Sequence, residues 1–217
     1  MNNEKDILYI SEIFYSIQGE STYQGEPCIF IRLAGCNLKC KWCDTTYAFT
    51  QGYKITFDQV IEEIKRYKTK LVEITGGEPL LQKAVIPFMR KLLHDNYKLL
   101  LETSGAISIK DVPRDVIIIM DIKCPGSGES DKNLWENLGY LKNNDEIKFV
   151  IADKNDYEWA KEVVKSYKLN EKHKVLFSPV FESNIARDLA EWILNDFINV
   201  RFNLQIHKVL WANKRGR

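Results

Sequence analysis

Pro27-Cys28-Ile29-Phe30-Ile31-Arg32-Leu33-Ala34-Gly35-Cys36-Asn37-Leu38-Lys39-Cys40-Lys41-Trp42-Cys43 is a run of β-branched and aromatic residues that empties, at Gly35, into three closely spaced cysteines. Residues 27–34 have the composition of a buried strand, and the glycine marks where it must stop. The same plan recurs downstream. Strands are predicted at Leu71–Thr75, Lys98–Thr103, Val116–Asp121, Glu146–Ile151, Val175–Ser178 and Phe202–Ile206. Helices are predicted after Thr56, where Thr56 and Gln59 have capping-box spacing ahead of the apolar face Val60, Ile61 and Ile64, and at Leu81–His94, Tyr157–Tyr167 and Ala186–Leu194. Near-continuous apolar strands alternating with helices predict an α/β fold with a parallel sheet covered by helices. About six such units are too few for a closed eight-stranded barrel, so the expectation is an open, partial (β/α)6-type barrel forming a single domain over 1–217. Thr75-Gly76-Gly77-Glu78, Glu102-Thr103, Asp121-Ile122-Lys123 and Ser178-Pro179 each fall at a predicted strand end, the rim where such sheets bind ligands.

Composition excludes several function classes. Lys and Arg number 31 against 30 Asp and Glu, a formal net charge of +1, so there is no broad electrostatic footprint for nucleic acid. The basic tail 208–217 reads as a solvated terminus. Met1 to Asp6 carries no apolar signal core, and the run Val116–Met120 is far too short to span a bilayer. The expected location is cytoplasmic. Of five cysteines, Cys36, Cys40 and Cys43 lie within eight residues, which in a reducing compartment points to metal binding and not to disulfides.

Cys-x3-Cys-x2-Cys on a tight loop lets three thiolates converge on a soft metal centre. On a four-iron cluster, three protein ligands leave one iron free for an exogenous ligand. A structural zinc site is the alternative, yet its usual signature is two ligand pairs, and no second Cys or His pair follows. His94, His173 and His207 are scattered along the chain, Cys28 reads as a small buried strand residue, and Cys124 has no evident role.

With Trp42 at the aromatic position, the cysteine loop resembles the signature of the radical S-adenosylmethionine superfamily, and Gly76-Gly77-Glu78-Pro79 resembles its GGEP element. The resemblance implies an abbreviated radical SAM core, a 4Fe-4S cluster on Cys36, Cys40 and Cys43, and S-adenosyl-L-methionine cleaved to a 5′-deoxyadenosyl radical. The protein's part in such chemistry is to position the cofactor and exclude competing reactions. For the cofactor the resemblance implies contacts from Trp42, Cys43, Asp44, Gly77, Glu78, Asp121, Ile122, Lys123, Ser178, Pro179, Val180 and Phe181.

Within that superfamily the first fifty residues are similar to the 7-carboxy-7-deazaguanine synthases. Ile17-Gln18-Gly19-Glu20 matches the stretch that contacts a carboxylated pterin, and Arg32 matches an arginine that pairs with the substrate carboxylate, a role suited to its forked donors. Thr75 matches a further substrate position, and Asn213 aligns with a terminal residue used in the substrate site. Thr45 holds the position of a hydroxyl ligand to Mg2+, which prefers oxygen donors. Glu102-Thr103-Ser104-Gly105, Glu146-Ile147-Lys148 and Gln205-Ile206-His207-Lys208 match other family segments; Ser104 replaces an asparagine, and only Lys123 of a Ser-Pro-Lys segment is retained. The implied reaction converts 6-carboxy-5,6,7,8-tetrahydropterin to 7-carboxy-7-deazaguanine with release of ammonia, in queuosine-type deazapurine biosynthesis. The resemblance also implies a flavodoxin-like reductant and a homodimer. A glycyl-radical-enzyme activase shares the cysteine loop and is the competing enzyme class, but it gives no reason for Gln18-Gly19-Glu20 or Arg32.

Overall fold

The computed structural model of the chain describes residues 6–212 and 214–217. Nine strands among them form one sheet in the order β3-β1-β2-β4-β5-β6-β7-β8-β9. They are β1 (Ile7–Ile17), β2 (Pro27–Leu33), β3 (Tyr53–Thr56), β4 (Leu71–Gly76), β5 (Lys98–Thr103), β6 (Ile117–Asp121), β7 (Glu146–Ile151), β8 (Lys174–Pro179) and β9 (Arg201–Phe202). From β2 onward every pairing is parallel, while β1 runs antiparallel to both β2 and β3. The expected parallel α/β architecture is therefore present, extended by an antiparallel edge. The helices are α1 (Phe57–Ile64), α2 (Val85–His94), α3 (Lys154–Tyr167), α4 (Leu169–Lys172), α5 (Ala186–Asn195) and α6 (Ile206–Trp211).

Period-two alternation divides each strand between two environments. Ile29, Ile31 and Leu33 of β2, Val72 and Ile74 of β4, Leu99 and Leu101 of β5, and Ile147 and Phe149 of β7 join the large core, with α1, α2, α3 and α5 supplying residues such as Ile64, Phe88, Tyr157 and Leu189. The intervening residues face the other side. There Cys28, Phe30, Leu71, Leu100, Ile117 and Ile119 make a small apolar plug against Phe14 and Tyr23. Above it, toward the carboxyl ends, the same face carries Arg32, Thr75, Glu102, Asp121 and Lys148. Strands that look continuously apolar thus become mostly polar on this face as they approach the rim, with Glu73 and Glu146 buried deeper.

Local signals explain the element boundaries. The capping box forms: Thr56 accepts from the Gln59 backbone, and the Gln59 side chain returns to the Thr56 N–H. The helix predicted from Leu81 starts at Val85, because Pro79–Leu81 first makes a 3-10 turn and Gln82 extends to bond Tyr9 N (2.9 Å), Tyr9 O (2.8 Å) and Ala34 O (3.0 Å). The last strand covers only Arg201–Phe202, and its predicted end at Ile206 is the start of α6. Neither β5–β6 nor β6–β7 is joined by an α-helix; residues 124–145 form three 3-10 turns. Fully buried Asn137 pins that segment, accepting from Ile109 N (3.1 Å) and donating to Gly105 O (3.0 Å) and Ile107 O (2.9 Å). No helix among the described residues is long and apolar enough to cross a membrane.

Asn137→Ala removes the side-chain partner of all three backbone groups, leaving Gly105 O only its bond from Leu134 N (3.2 Å). It should cost about 1–3 kcal/mol in urea unfolding and open 105–110 and 124–145 to proteolysis; an unchanged midpoint would contradict this role.

Candidate active site

The cavity sits at the carboxyl rim of the parallel strands, and its wall includes all three clustered cysteines. The turn after β4 presses against the beginning of the cysteine loop. Gly77 N donates to Leu33 O (3.1 Å) and Glu78 N to Gly35 O (2.8 Å). A Cβ on Gly77 would lie 2.2 Å from Gly35 O and 2.8 Å from Cys36 Cβ, so only glycine permits this approach. Cys36, Cys40 and Cys43 are unpaired and half-buried, and burial pushes the Cys36 and Cys40 thiols up from their ordinary range. Among the described residues no three His, Cys, Asp or Glu side chains converge closely enough to cage a single ion. Three thiols opening on a shared space fit a multi-iron cluster bound at separate irons better than one tetrahedral zinc. Thr45 Oγ1 lies 3.7 Å from Cys43 Sγ on the same wall. One hydroxyl without a carboxylate cage suits Mg2+, which keeps waters and substrate oxygens in its shell.

Most of the residues expected at the site from the sequence lie on this cavity. Ile17, Gln18, Gly19 and Glu20 reach it from the end of β1, and Arg32 and Thr75 from adjacent strands. Trp42, Asp44, Gly77, Asp121, Lys123, Val180 and Phe181 also line it. Four do not. Glu78 is fully buried, its carboxylate accepting from Leu80 N (2.9 Å), Thr103 Oγ1 (2.9 Å), Ser104 N (2.7 Å) and Ser104 Oγ (2.5 Å), so it ties the β4 turn to the end of β5. Ser104, where the family segment has asparagine, spends its hydroxyl on that carboxylate. Ile122 belongs to the helix-side core, because alternation turns it away from Asp121 and Lys123. Ser178 is buried under Asn203, whose Nδ2 donates to it (3.1 Å), and Pro179 ends β8 off the wall. Asn213 lies outside the described residues.

Electrostatically the cavity centres on Lys148. Its Nζ bonds Glu20 (2.9 Å) and Glu102 and lies 3.4 Å from Asp121. Burial alone would lower its pKa, but these three carboxylates raise it well above the ordinary lysine value, so it is charged. Burial likewise opposes ionisation of Glu102, and Lys148 with the Thr75 hydroxyl (2.9 Å) holds it ionised. Arg32 donates through Nε to Glu12 (2.8 Å), and Tyr47 OH donates to the same carboxylate oxygen (2.7 Å). Arg32 thus arrives already paired. Among the described residues its terminal nitrogens have no protein acceptor, so they keep two donors for a ligand.

The start of the tail departs from its reading as a solvated terminus, although most of 209–217 is exposed. Lys208, only 6% exposed, pairs with Asp44 (2.9 Å) beside Cys43. Burial opposes the Asp44 charge, but Lys208 holds its carboxyl below the usual range. Gln205 Nε2 donates to Glu20 (2.9 Å), Ile206 N to Gly19 O (3.0 Å), and burial keeps the His207 imidazole toward its neutral form. Arg215 reaches Glu12 (3.2 Å), and Arg217 lines the cavity. Glu73 is a cavity residue that sequence reasoning did not name, and Glu102, Lys148, His207 and Lys208 entered it only within a rim cluster or a matching family segment, with no role of their own. Their signal was a charged residue inside an otherwise apolar strand, or a basic group soon after the last strand.

A Cβ at Gly19 would lie 2.0 Å from His207 Nδ1 and 2.9 Å from His207 Cβ. Gly19→Ala should therefore push α6 off the cavity, destabilising by about 1–3 kcal/mol and exposing Ile206–Trp211 to proteolysis. Wild-type protection of that helix in the variant would show that the contact is not limiting.

Residues 30–120 match the Radical SAM superfamily model. The chain is 46% identical to the 7-carboxy-7-deazaguanine synthase of Koribacter versatilis (strain Ellin345), covering 94% of this chain and 97% of the relative. It is 42% identical to that of Chlorobaculum tepidum, covering 94% of each. In structure it is similar to QueE from Escherichia coli, with a TM-score of 0.77 at 23% identity over 92% of this chain and 94% of that one, a likeness in fold. These relatives share the cysteine loop's superfamily and span almost the whole length over which the rim residues are distributed, so the chain belongs to the 7-carboxy-7-deazaguanine synthase family of radical SAM enzymes.

Proposed function

We propose that this chain converts 6-carboxy-5,6,7,8-tetrahydropterin to 7-carboxy-7-deazaguanine with release of ammonia, working as one domain over 1–217. The observation that carries the reading is the meeting, on one cavity, of three free cysteines with the Gln18-Gly19-Glu20 turn, Arg32 and Thr75. Cys36, Cys40 and Cys43 would hold a 4Fe-4S cluster, and S-adenosyl-L-methionine would lie against Trp42, Asp44, Gly77, Asp121, Lys123, Val180 and Phe181. When bound, these groups supply the one-electron chemistry that removes hydrogen from a carbon with no acidic proton.

The chain's own residues bind, orient and seal. Gln18 Oε1 accepts from Glu20 N (2.9 Å), which sets the turn so that the Glu20 carboxylate meets both Lys148 and Gln205. Glu20 then offers acceptors to the amino and ring N–H groups of a pterin. The terminal nitrogens of Arg32 offer the substrate carboxylate two parallel charge-assisted hydrogen bonds. The stacked rings of Phe14 and Phe30 (4.8 Å apart, 8° between planes) give a flat apolar wall for a flat heterocycle. α6 covers the turn, and its Lys208–Asp44 pair closes the side nearest the cysteines against water. Thr45 would give one ligand to Mg2+, which would draw its remaining oxygens from substrate and water. The reading extends to a flavodoxin-like protein as reductant and a homodimer as the working assembly, both expectations carried by the family.

Anaerobic reconstitution with iron and sulfide, followed by reduction in the presence of S-adenosylmethionine, Mg2+ and carboxytetrahydropterin, should yield the deazapurine and ammonia in equal amounts. Cofactor cleavage without deazapurine would overturn the substrate, and no cleavage would overturn the radical chemistry. Thr45→Ala should keep the cluster's visible spectrum while its rate loses most of the Mg2+ response. A response equal to wild type would remove Thr45 as the ligand.

A further inference from the structure

Glu73 occupies a place that the reaction described above leaves unused. On the inner face of β4 it stands in register with Phe30 of β2 and Leu100 of β5, and Leu100 with Ile117 of β6. It is an acidic side chain set among residues of the apolar plug, and it is only 4% exposed. It nevertheless lines the cavity, beside Phe14, Phe30 and Ile119. One carboxyl oxygen, Oε2, accepts from Gln18 Nε2. Among the described residues the other oxygen has no protein partner, and no cation forms an ion pair with the group. The nearby cations are committed elsewhere, Arg32 to Glu12 and Lys148 to Glu20 and Glu102.

We infer that Glu73 is a specificity-determining residue of the pterin site, its uncharged carboxyl donating the Oε1 hydrogen to a carbonyl oxygen or an unprotonated ring nitrogen of the bound heterocycle. This rests on the function proposed above. Several observations point the same way. A carboxylate buried without a cation partner is costly, whereas a carboxylic acid is far cheaper and brings a donor. Burial and the neighbouring Glu102 charge push the Glu73 pKa well above the ordinary value, Glu20 adds to this, and Lys148 and Arg32 pull more weakly the other way. Cys28, the other titratable group facing it from β2, is itself held in its neutral thiol form by burial. A second negative charge beside Glu102 would also oppose entry of a carboxylated substrate. A ligand reaching this floor meets a stacked aromatic wall and one donor, which selects a flat ring system with an acceptor on its buried edge. The Gln18 contact makes the same carboxyl a support for the Gln18-Gly19-Glu20 turn, so the two roles have to be separated by experiment.

Glu73→Gln and Glu73→Leu separate them. Glutamine keeps an acceptor for Gln18 and places an N–H donor where the acid has O–H. Leucine keeps volume and removes both. With reconstituted enzyme, Glu73→Gln should keep KM for carboxytetrahydropterin within about threefold, whereas Glu73→Leu should raise it about tenfold or more, the size of a hydrogen bond lost from a buried site, with kcat changed less. Raising the pH should weaken substrate binding to the wild type, measured by equilibrium dialysis, but not to Glu73→Gln. Stability gives a readout independent of turnover. A raised folded-state pKa favours the fold at low pH, and that advantage is lost as pH rises through it, so Glu73→Gln should unfold at higher temperature than wild type above neutral pH. Loss of binding in Glu73→Gln as large as in Glu73→Leu would mean that a carboxylate is required, and unchanged KM in both would mean that Glu73 does not touch substrate. Either result overturns the inference, as does a parallel pH dependence in wild type and Glu73→Gln. If Glu73→Leu does not fold, the pH comparison of wild type with Glu73→Gln decides alone. Failure of the proposed reaction itself would appear separately, as absence of deazapurine from the wild type.

Discussion

A single buried ammonium organises the inner face of this sheet. Lys148 projects from β7 into a space where water is scarce, and it is stable there as a cation only because Glu20, Glu102 and Asp121 converge on it from the turn after β1, from β5 and from β6. Such clusters seldom maximise stability, since desolvating four charges offsets much of their mutual attraction. What the cluster does is specify geometry: it demands one register for β5, β6 and β7, and one position for the turn that carries Gln18, Gly19 and Glu20. The apolar plug adjoins this cluster, and the three cysteines open on the same cavity.

The two ends of the cavity depend on different physics. At the cysteine end the constraint is close backbone approach, with Gly77 packed on Gly35 and the buried Glu78 fastening the same turn to Thr103 and Ser104. Around the Gln18-Gly19-Glu20 turn the constraint is charge pairing, which leaves Arg32 with free donors and Glu73 without a cation. α6 joins the two, because Gln205 holds Glu20 at one end while Lys208 holds Asp44 at the other. A helix of six residues thereby couples that turn to the loop that holds the cysteines.

Which features were legible in the sequence follows from how local their causes are. The cysteine spacing, the Gly76-Gly77 break and the Thr56–Gln59 capping box are short-range signals, and each stands where the spacing put it. Strand–helix alternation likewise carried the parallel sheet. Period-two alternation could not say which face of a strand looks inward, so Glu73 drew no reading, Lys148 entered only within a family segment, and Ile122 was grouped with neighbours that face the other way. Glu78 and Ser178 are polar rim residues whose partners, Thr103, Ser104 and Asn203, are distant in sequence; those partners turn them into the protein instead of the cavity. The start of the basic tail was misread for the same reason, since Lys208 is buried only because Asp44 is there to receive it. The antiparallel edge made by β1 and β3 rests on pairings that no periodicity in those segments announces.

If the Lys148 cluster builds the cavity proposed for the pterin and does not merely stabilise the sheet, Lys148→Met and Lys148→Met/Glu102→Met will differ in stability but not in substrate binding. Removing the ammonium alone leaves Glu20 and Glu102 without their cation, while Asp121 keeps Lys123 (2.7 Å), and should cost about 3–5 kcal/mol of unfolding free energy. Removing Glu102 as well should recover a large part of that loss, as expected for residues in direct contact. Carboxytetrahydropterin binding should stay lost in the double variant, because the Glu20 turn no longer has its anchor. A double variant that recovers stability and substrate affinity together, or a Lys148→Met protein equal to wild type in both, would contradict the account.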